Sequence, residues 1–266
     1  MSAEPVYGAV PLTPSTEPGS QPSGEMTLVE HLLELRNRVI VCAIALVAGT
    51  AFSFIFWLTI VGWLLAPARE SHPDFNLVVF SPTETFGVLF KIGLYGGLII
   101  ASPVWLYEII SFVVPGLTKA ERKILLPGAL GAVTFLAVGM AFAYFIILPA
   151  SLNFLLDFGG DQFDPVIGAK QYMDFAIRII FWVGVSFEMP MVIAIAARLG
   201  MVRARQLIGF WRYAIVIVFV IAAVVTPTPD PLTQSLVAGP LALLYIVGVL
   251  FAWLLQKPRP KPVEAE

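Results

Sequence analysis

The stretch HLLELRNRVIVCAIALVAGTAFSFIFWLTIVGWLLA, residues 31–66, decides the fold. After Arg38 no charged side chain occurs until Arg69. A spanning helix needs only about 20 consecutive apolar residues. Lipid offers no partners to N–H and C=O groups, so such a segment must satisfy its backbone internally, as a helix does. At its start, Leu28, Leu32 and Leu35 recur at i, i+4, i+7, and Glu30, Glu34 and Arg38 form a parallel stripe. That period predicts a short amphipathic helix at the membrane surface that runs into the first span.

The same reading extends along the chain. Of 266 residues, 58% are hydrophobic and 13% charged, whereas soluble domains carry roughly 25% charged residues. Apolar runs lie at about 39–66, 82–112, 124–148, 172–197, 208–225 and 232–255. They predict an all-α membrane protein with six transmembrane helices in one membrane domain, 26–255. Residues 1–25, rich in Pro, Ser, Thr and Gly, read as a disordered cytoplasmic tail, and 256–266 as a second tail.

Helix ends are marked by cap chemistry. Ser81-Pro82-Thr83-Glu84, Thr118-Lys119-Ala120-Glu121 and Thr27-Leu28-Val29-Glu30 each offer a capping box. Pro115-Gly116 stops the second span. Pro103 removes a backbone hydrogen bond inside a run too long for one straight span, so a kink is expected there. Pro127, Pro149, Pro190 and Pro240 also fall in or beside spans. So many prolines predict bent helices around a concave surface.

Orientation follows from basic residues. Twelve of the 16 flank spans on one side, in the groups Arg36 and Arg38, Lys119 to Lys123, Arg198 to Arg212, and Lys257 to Lys261. The positive side is cytoplasmic, and an even number of spans then places both termini there.

Catalytic templates are absent: the sequence has no Gly-x-Ser-x-Gly, no His-Glu-x-x-His and no phosphate-cradling glycine loop. The chain reads as a non-enzyme without cofactor. His31 and His72 lie far apart and have no cysteine partners, so no metal site is expected. Cys42 reads as a small buried hydrophobe. Asp174 and Arg178, at i, i+4, are expected to pair, and Lys91 to snorkel outward. Glu84 reads as a cap. Glu30 and Glu121 are explained by capping alone, and Glu34 by an i, i+4 pair with Arg38. Glu188 is different, lying some 24 Å into the fourth span at 1.5 Å per residue. A charge there costs about 2.5–3.5 kcal/mol on insertion scales, so it should face protein or a wet cavity. Pro190 just after it frees the Ser186 carbonyl.

HLLELRNR (31–38), SFVVPGLTKAERK (111–123), GMAFAYF (139–145), SFEMP (186–190) and TPTPDPLTQ (226–234) occur in an order that resembles the TatC family, the core of the twin-arginine protein translocase. The similarity covers about 27–255. Glu108 and Ile110 depart from it, at positions where the family usually has Gln and Trp. The resemblance implies a glove-like bundle in the bacterial cytoplasmic membrane, in a multimeric receptor complex. It also implies recognition of twin-arginine signal peptides on folded cargo, with export driven by the proton-motive force. It assigns signal binding to Glu34 and Glu121, with Phe112 packing the apolar part of the signal. Arg36 is expected to orient Glu34 or contact lipid phosphate. Glu188, and Gln234 as a second contact, are assigned to a concave-face polar site for single-span partners of the TatA/TatB type. No nucleic acid is implied.

Two rival classes remain open on residues alone. One is a proton-coupled secondary transporter of a small solute using Glu188, although no internal repeat supports it. The other is a membrane scaffold without a peptide site.

Overall fold

The computed structural model describes residues 28–72, 75–113, 125–157, 166–226 and 230–256. Both predicted tails (apart from Gln256), the Thr27 cap, the Pro115-Gly116 stop and the whole 118–121 capping box, with Glu121, lie outside them.

Among the described residues, five helical stretches are long and apolar enough to cross a bilayer: His31–Ile55, Pro82–Ile100, Pro127–Asp157, Ala169–Arg198 and Pro231–Leu255. A sixth, Trp211–Val225, is shorter. Its 15 residues reach only about 22 Å, less than the roughly 30 Å hydrocarbon core. The protein is an all-α membrane protein.

The apolar run that reads as one span from 39 to 66 is two helices, α1 (Leu28–Ile55) and α2 (Trp57–Ser71), parted at Phe56. The amphipathic segment is thus the first turns of α1. A short strand β1 (Leu77–Val78) leads to α3 (Pro82–Ile100). The second predicted span breaks at Ala101, two residues before Pro103, and continues as α4 (Ser102–Val113). The Trp105 indole N–H donates to the Leu98 carbonyl at 2.9 Å at that break. α5 (Leu125–Phe142) passes through one π-helical turn, Ala143–Ile147, into α6 (Leu148–Asp157). The π turn lies just before Pro149, which has no N–H to give.

Strand β2 (Ile167–Gly168) pairs in parallel with β1, Leu77 with Ile167 and Val78 with Gly168. It leads into α7 (Ala169–Ser186), then α8 (Met189–Arg198), divided at Phe187–Glu188 with Pro190 in the first turn of α8. A short α9 (Ala204–Gly209) precedes α10 (Trp211–Val225) and α11 (Pro231–Leu255). Asp230 caps α11 by accepting the Thr233 N–H at 2.5 Å, with Pro231 in the first turn. Ser81, by contrast, makes no side-chain cap bond. Its hydroxyl lies 2.9 Å from that of Thr83, and Glu84 accepts the Phe80 N–H at 3.2 Å.

Without a hydrophobic drive between helices in lipid, close backbone approach at small residues does the work. α1 and α3 meet along such a seam. A Cβ on Gly97 would sit 2.3 Å from the Thr50 hydroxyl oxygen and 2.7 Å from the Thr50 nitrogen. One on Gly49 would fall 2.7 Å from the Gly97 carbonyl oxygen. Ser53, fully buried in that seam, donates to the Ile92 carbonyl at 3.1 Å.

The core runs through Ile92, Ile147, Leu148, Ile179, Val183 and Leu241. Two buried or half-buried hydroxyls complete it. Pro67 inside α2 removes the N–H that the Trp63 carbonyl would have accepted. Tyr144, in the π turn, donates to that carbonyl at 2.9 Å. Tyr172, on α7, donates to the next one, Leu64, at 2.5 Å. Neighbouring helices thus satisfy a proline-broken helix, as a lipid solvent requires.

Lys91 and Asp174, expected to snorkel and to pair with Arg178, instead join α3 to α7. The ammonium lies 2.5 and 2.6 Å from the two carboxylate oxygens. Asp174 faces the bundle and Arg178 is exposed, so the cross-helix cation wins over the one on its own helix.

Candidate functional site

α1 and α4 run antiparallel at one end of the bundle, and each brings a stripe of side chains to the contact. From α1 come His31, Glu34 and Arg38, and from α4 Glu108 and Phe112. The i, i+3, i+4 spacing places each set on one helix face.

At the outer turn the His31 and Phe112 rings stack, with centroids 4.5 Å apart and planes 15° from parallel. One to two turns further in, Arg38 joins two carboxylates. Its Nε and Nη2 both donate to Glu34 Oε1, at 3.1 and 2.6 Å. Its Nη1 donates to Glu108 Oε2 at 2.7 Å. Arg38, Glu34 and Glu108 are all largely buried, with side-chain exposures of 22, 25 and 17%. The second oxygen of Glu34, Oε2, is buried and has no partner among the described residues. Two carboxylates facing one guanidinium leave the cluster one negative charge in excess.

Arg36 is not part of this cluster. It is exposed and donates to its neighbour Asn37 at 3.3 Å. Positions two apart on a helix point to different faces, so Arg38 rather than Arg36 orients Glu34. Glu121 lies outside the described residues.

Glu188 belongs to a different place. It sits in the break between α7 and α8, 7% exposed, and its Oε1 is buried without a partner among the described residues. Phe187 beside it packs over Gly139, where a Cβ would fall 2.6 Å from the ring, and lies 5.5 Å from the Phe142 ring. Gln234 lies on α11, where its Nε2 donates to the Phe219 carbonyl of α10 at 3.0 Å. Among the described residues no three His, Cys, Asp or Glu side chains come together as metal ligands would.

Sequence reasoning missed the part played by Glu108, registering it only as a departure from a family pattern. The signal was available: Glu108 stands four residues before Phe112, on the same face of a helix that must pass the Arg38 turn. Lys91–Asp174 left no comparable trace, because the two are 83 residues apart.

The family model described as Sec-independent protein translocase protein (TatC) matches residues 30–240. The Sec-independent protein translocase protein TatC of Synechocystis sp. is 37% identical over 233 residues, covering 88% of this chain and 90% of its own. That of Aquifex aeolicus is 39% identical over 231 residues, covering 86% and 95%. A crystal structure of a twin-arginine translocase receptor, TatC, superposes with a TM-score of 0.78 at 39% identity, covering 85% of this chain and 99% of that one.

Proposed function

The chain belongs to the TatC family of Sec-independent protein translocase proteins, and from that membership we propose that it is the receptor for twin-arginine signal peptides on folded cargo. It is a multi-pass membrane protein and a translocase component. The finer reading rests on one observation: Glu34 is held at the α1–α4 contact with one carboxylate oxygen tied to Arg38 and the other buried with no partner among the described residues.

A guanidinium is the donor that such an oxygen favours. Its planar fork binds carboxylates through two parallel bonds, whereas a lysine ammonium is a point charge. In this reading Glu34 takes one signal arginine and Glu121 takes the other. Phe112, stacked on His31 a turn away, packs the apolar part of the signal. Arg36, exposed on α1, contacts lipid phosphate.

Six spans place both termini in the cytoplasm of a bacterial cell, and the peptide arrives from that side. Trp211–Val225 serves as the fifth span by local thinning of the bilayer. Glu188 and Gln234 serve single-span partners of the TatA/TatB type within a multimeric complex, and the proton-motive force drives transport.

Site-specific crosslinking from positions around Glu34, Phe112 and Glu121 to a synthetic twin-arginine signal peptide tests this reading. Glu34→Ala and Glu121→Ala should each reduce crosslinking while membrane insertion stays normal. Undiminished crosslinking in the double variant would falsify the assigned site.

A further inference from the structure

Arg38 occupies Glu34 as a ligand would. It offers its Nε–Nη2 edge, the same edge that an arriving arginine presents, but spends both donors on one oxygen, Oε1. Oε2 is left buried and unpartnered among the described residues. The third nitrogen, Nη1, is held separately by Glu108 at 2.7 Å. The guanidinium therefore has two seats, one on each helix, and can leave one without leaving the other.

We propose that Arg38 is an internal occupant of the Glu34 carboxylate, and that Glu108 is the seat on which Arg38 stays when a ligand guanidinium takes Glu34. This rests on the reading of Glu34 as a signal-arginine site and adds a positioning role for two residues outside it. A ligand arginine displaces the Arg38 edge from Oε1 and, in doing so, supplies a donor to the buried Oε2. Arg38 remains bonded to Glu108 throughout, so neither guanidinium nor either carboxylate is left buried and unpaired, the condition that makes breaking a buried ion pair expensive. A glutamine at 108 offers a carbonyl oxygen but no charge. With it Arg38 would remain on Glu34, and the ligand would compete against a full ion pair. Exchange of one planar fork for another also favours arginine over lysine in the peptide.

The test is a double-mutant cycle on the full chain in nanodiscs, reading the Kd of a synthetic twin-arginine signal peptide. Glu108→Gln should weaken binding by about tenfold, the scale of one well-formed charged contact. Arg38→Gln should tighten it, because the internal competitor is gone. In the Arg38→Gln background, Glu108→Gln should then change Kd by less than about twofold. Arg38→Lys, which keeps the charge of the α1–α4 contact but loses the fork, should shrink the Glu108→Gln effect as well and guards against a folding defect in the glutamine variant.

Equal weakening by Glu108→Gln in both backgrounds would mean that Glu108 touches the peptide itself and would overturn the exchange. No effect in either background would overturn it too. Glu34→Gln separates the two levels. If it abolishes binding while the cycle is additive, the site stands and the exchange falls. If it binds like the unaltered protein, the site falls and takes the exchange with it.

Discussion

Tyr144 reaches across 81 positions of sequence to donate its hydroxyl to the Trp63 carbonyl at 2.9 Å. It replaces the N–H that Pro67 removes in α2, and Tyr172 adds a second bond one residue on, to the Leu64 carbonyl. The two tyrosines come from the π turn and from α7, so the repair also joins α2 to two other elements.

Tyr172→Phe keeps the ring against Phe75 but removes the hydroxyl from the Leu64 carbonyl, which keeps the Ala68 N–H of its own helix. We expect a loss of about 0.5–1.5 kcal/mol, the net worth of one intramolecular hydrogen bond. Tyr144→Phe should lose more, because the Trp63 carbonyl then has neither the hydroxyl nor the helical N–H that Pro67 removes. Thermal unfolding of the purified protein in detergent reads both. An unchanged midpoint for Tyr144→Phe would show that the Trp63 carbonyl finds another donor.

At the α1–α3 seam, Gly97→Ala places a Cβ against the Thr50 backbone of α1, which cannot swing aside as a side chain could. Helix separation should increase, with a loss of about 1–3 kcal/mol by overpacking. Gly62→Ala is the control, since its Cβ would meet nothing within 4 Å. Protease resistance in membranes should fall for the first and hold for the second.

Lys91 and Asp174 form a cross-helix ion pair in which Lys91 is 38% exposed. Either Lys91→Met or Asp174→Leu alone leaves a charge uncompensated and should destabilise by about 1–3 kcal/mol, discounted for that exposure. The double variant Lys91→Met with Asp174→Leu should recover most of the loss. If the double variant is as unstable as the sum of the singles, the pair is not the source of the effect.

Glu188 is buried in the α7–α8 break with one oxygen that has no partner among the described residues. Glu188→Leu should leave signal-peptide crosslinking intact and reduce copurification of single-span partners. Unaltered copurification and export would remove the assigned role. Solute uptake dependent on Glu188 without peptide binding would favour a transporter instead.

Much of this fold is legible in one dimension, because lipid imposes its solvent on every residue of a span. Charge-free runs, the proline at 103 and the stripe of Glu34 and Arg38 are all local patterns with local causes. What escapes is pairing between distant helices. Nothing near Asp174 announces Lys91, so its own-helix neighbour Arg178 looked the better partner. The division at Phe56 is hidden too, since hydropathy continues unbroken across a helix break. At the site, Glu34 was visible from its stripe, whereas the hold on Arg38 by Glu108 depends on how α4 folds back beside α1.

Only 11% of the residues in the apolar window of α1 are buried inside the protein, against 33% for the windows in Ala169–Arg198 and Pro231–Leu255. α1, made before the other described helices, is therefore content in lipid on nearly all sides, with no need of company. It can wait alone until α3 arrives to close the glycine seam, so assembly of the bundle need not be simultaneous with insertion. The cation that α1 carries at position 38 would spend that interval on Glu34 alone, its second seat not yet synthesised.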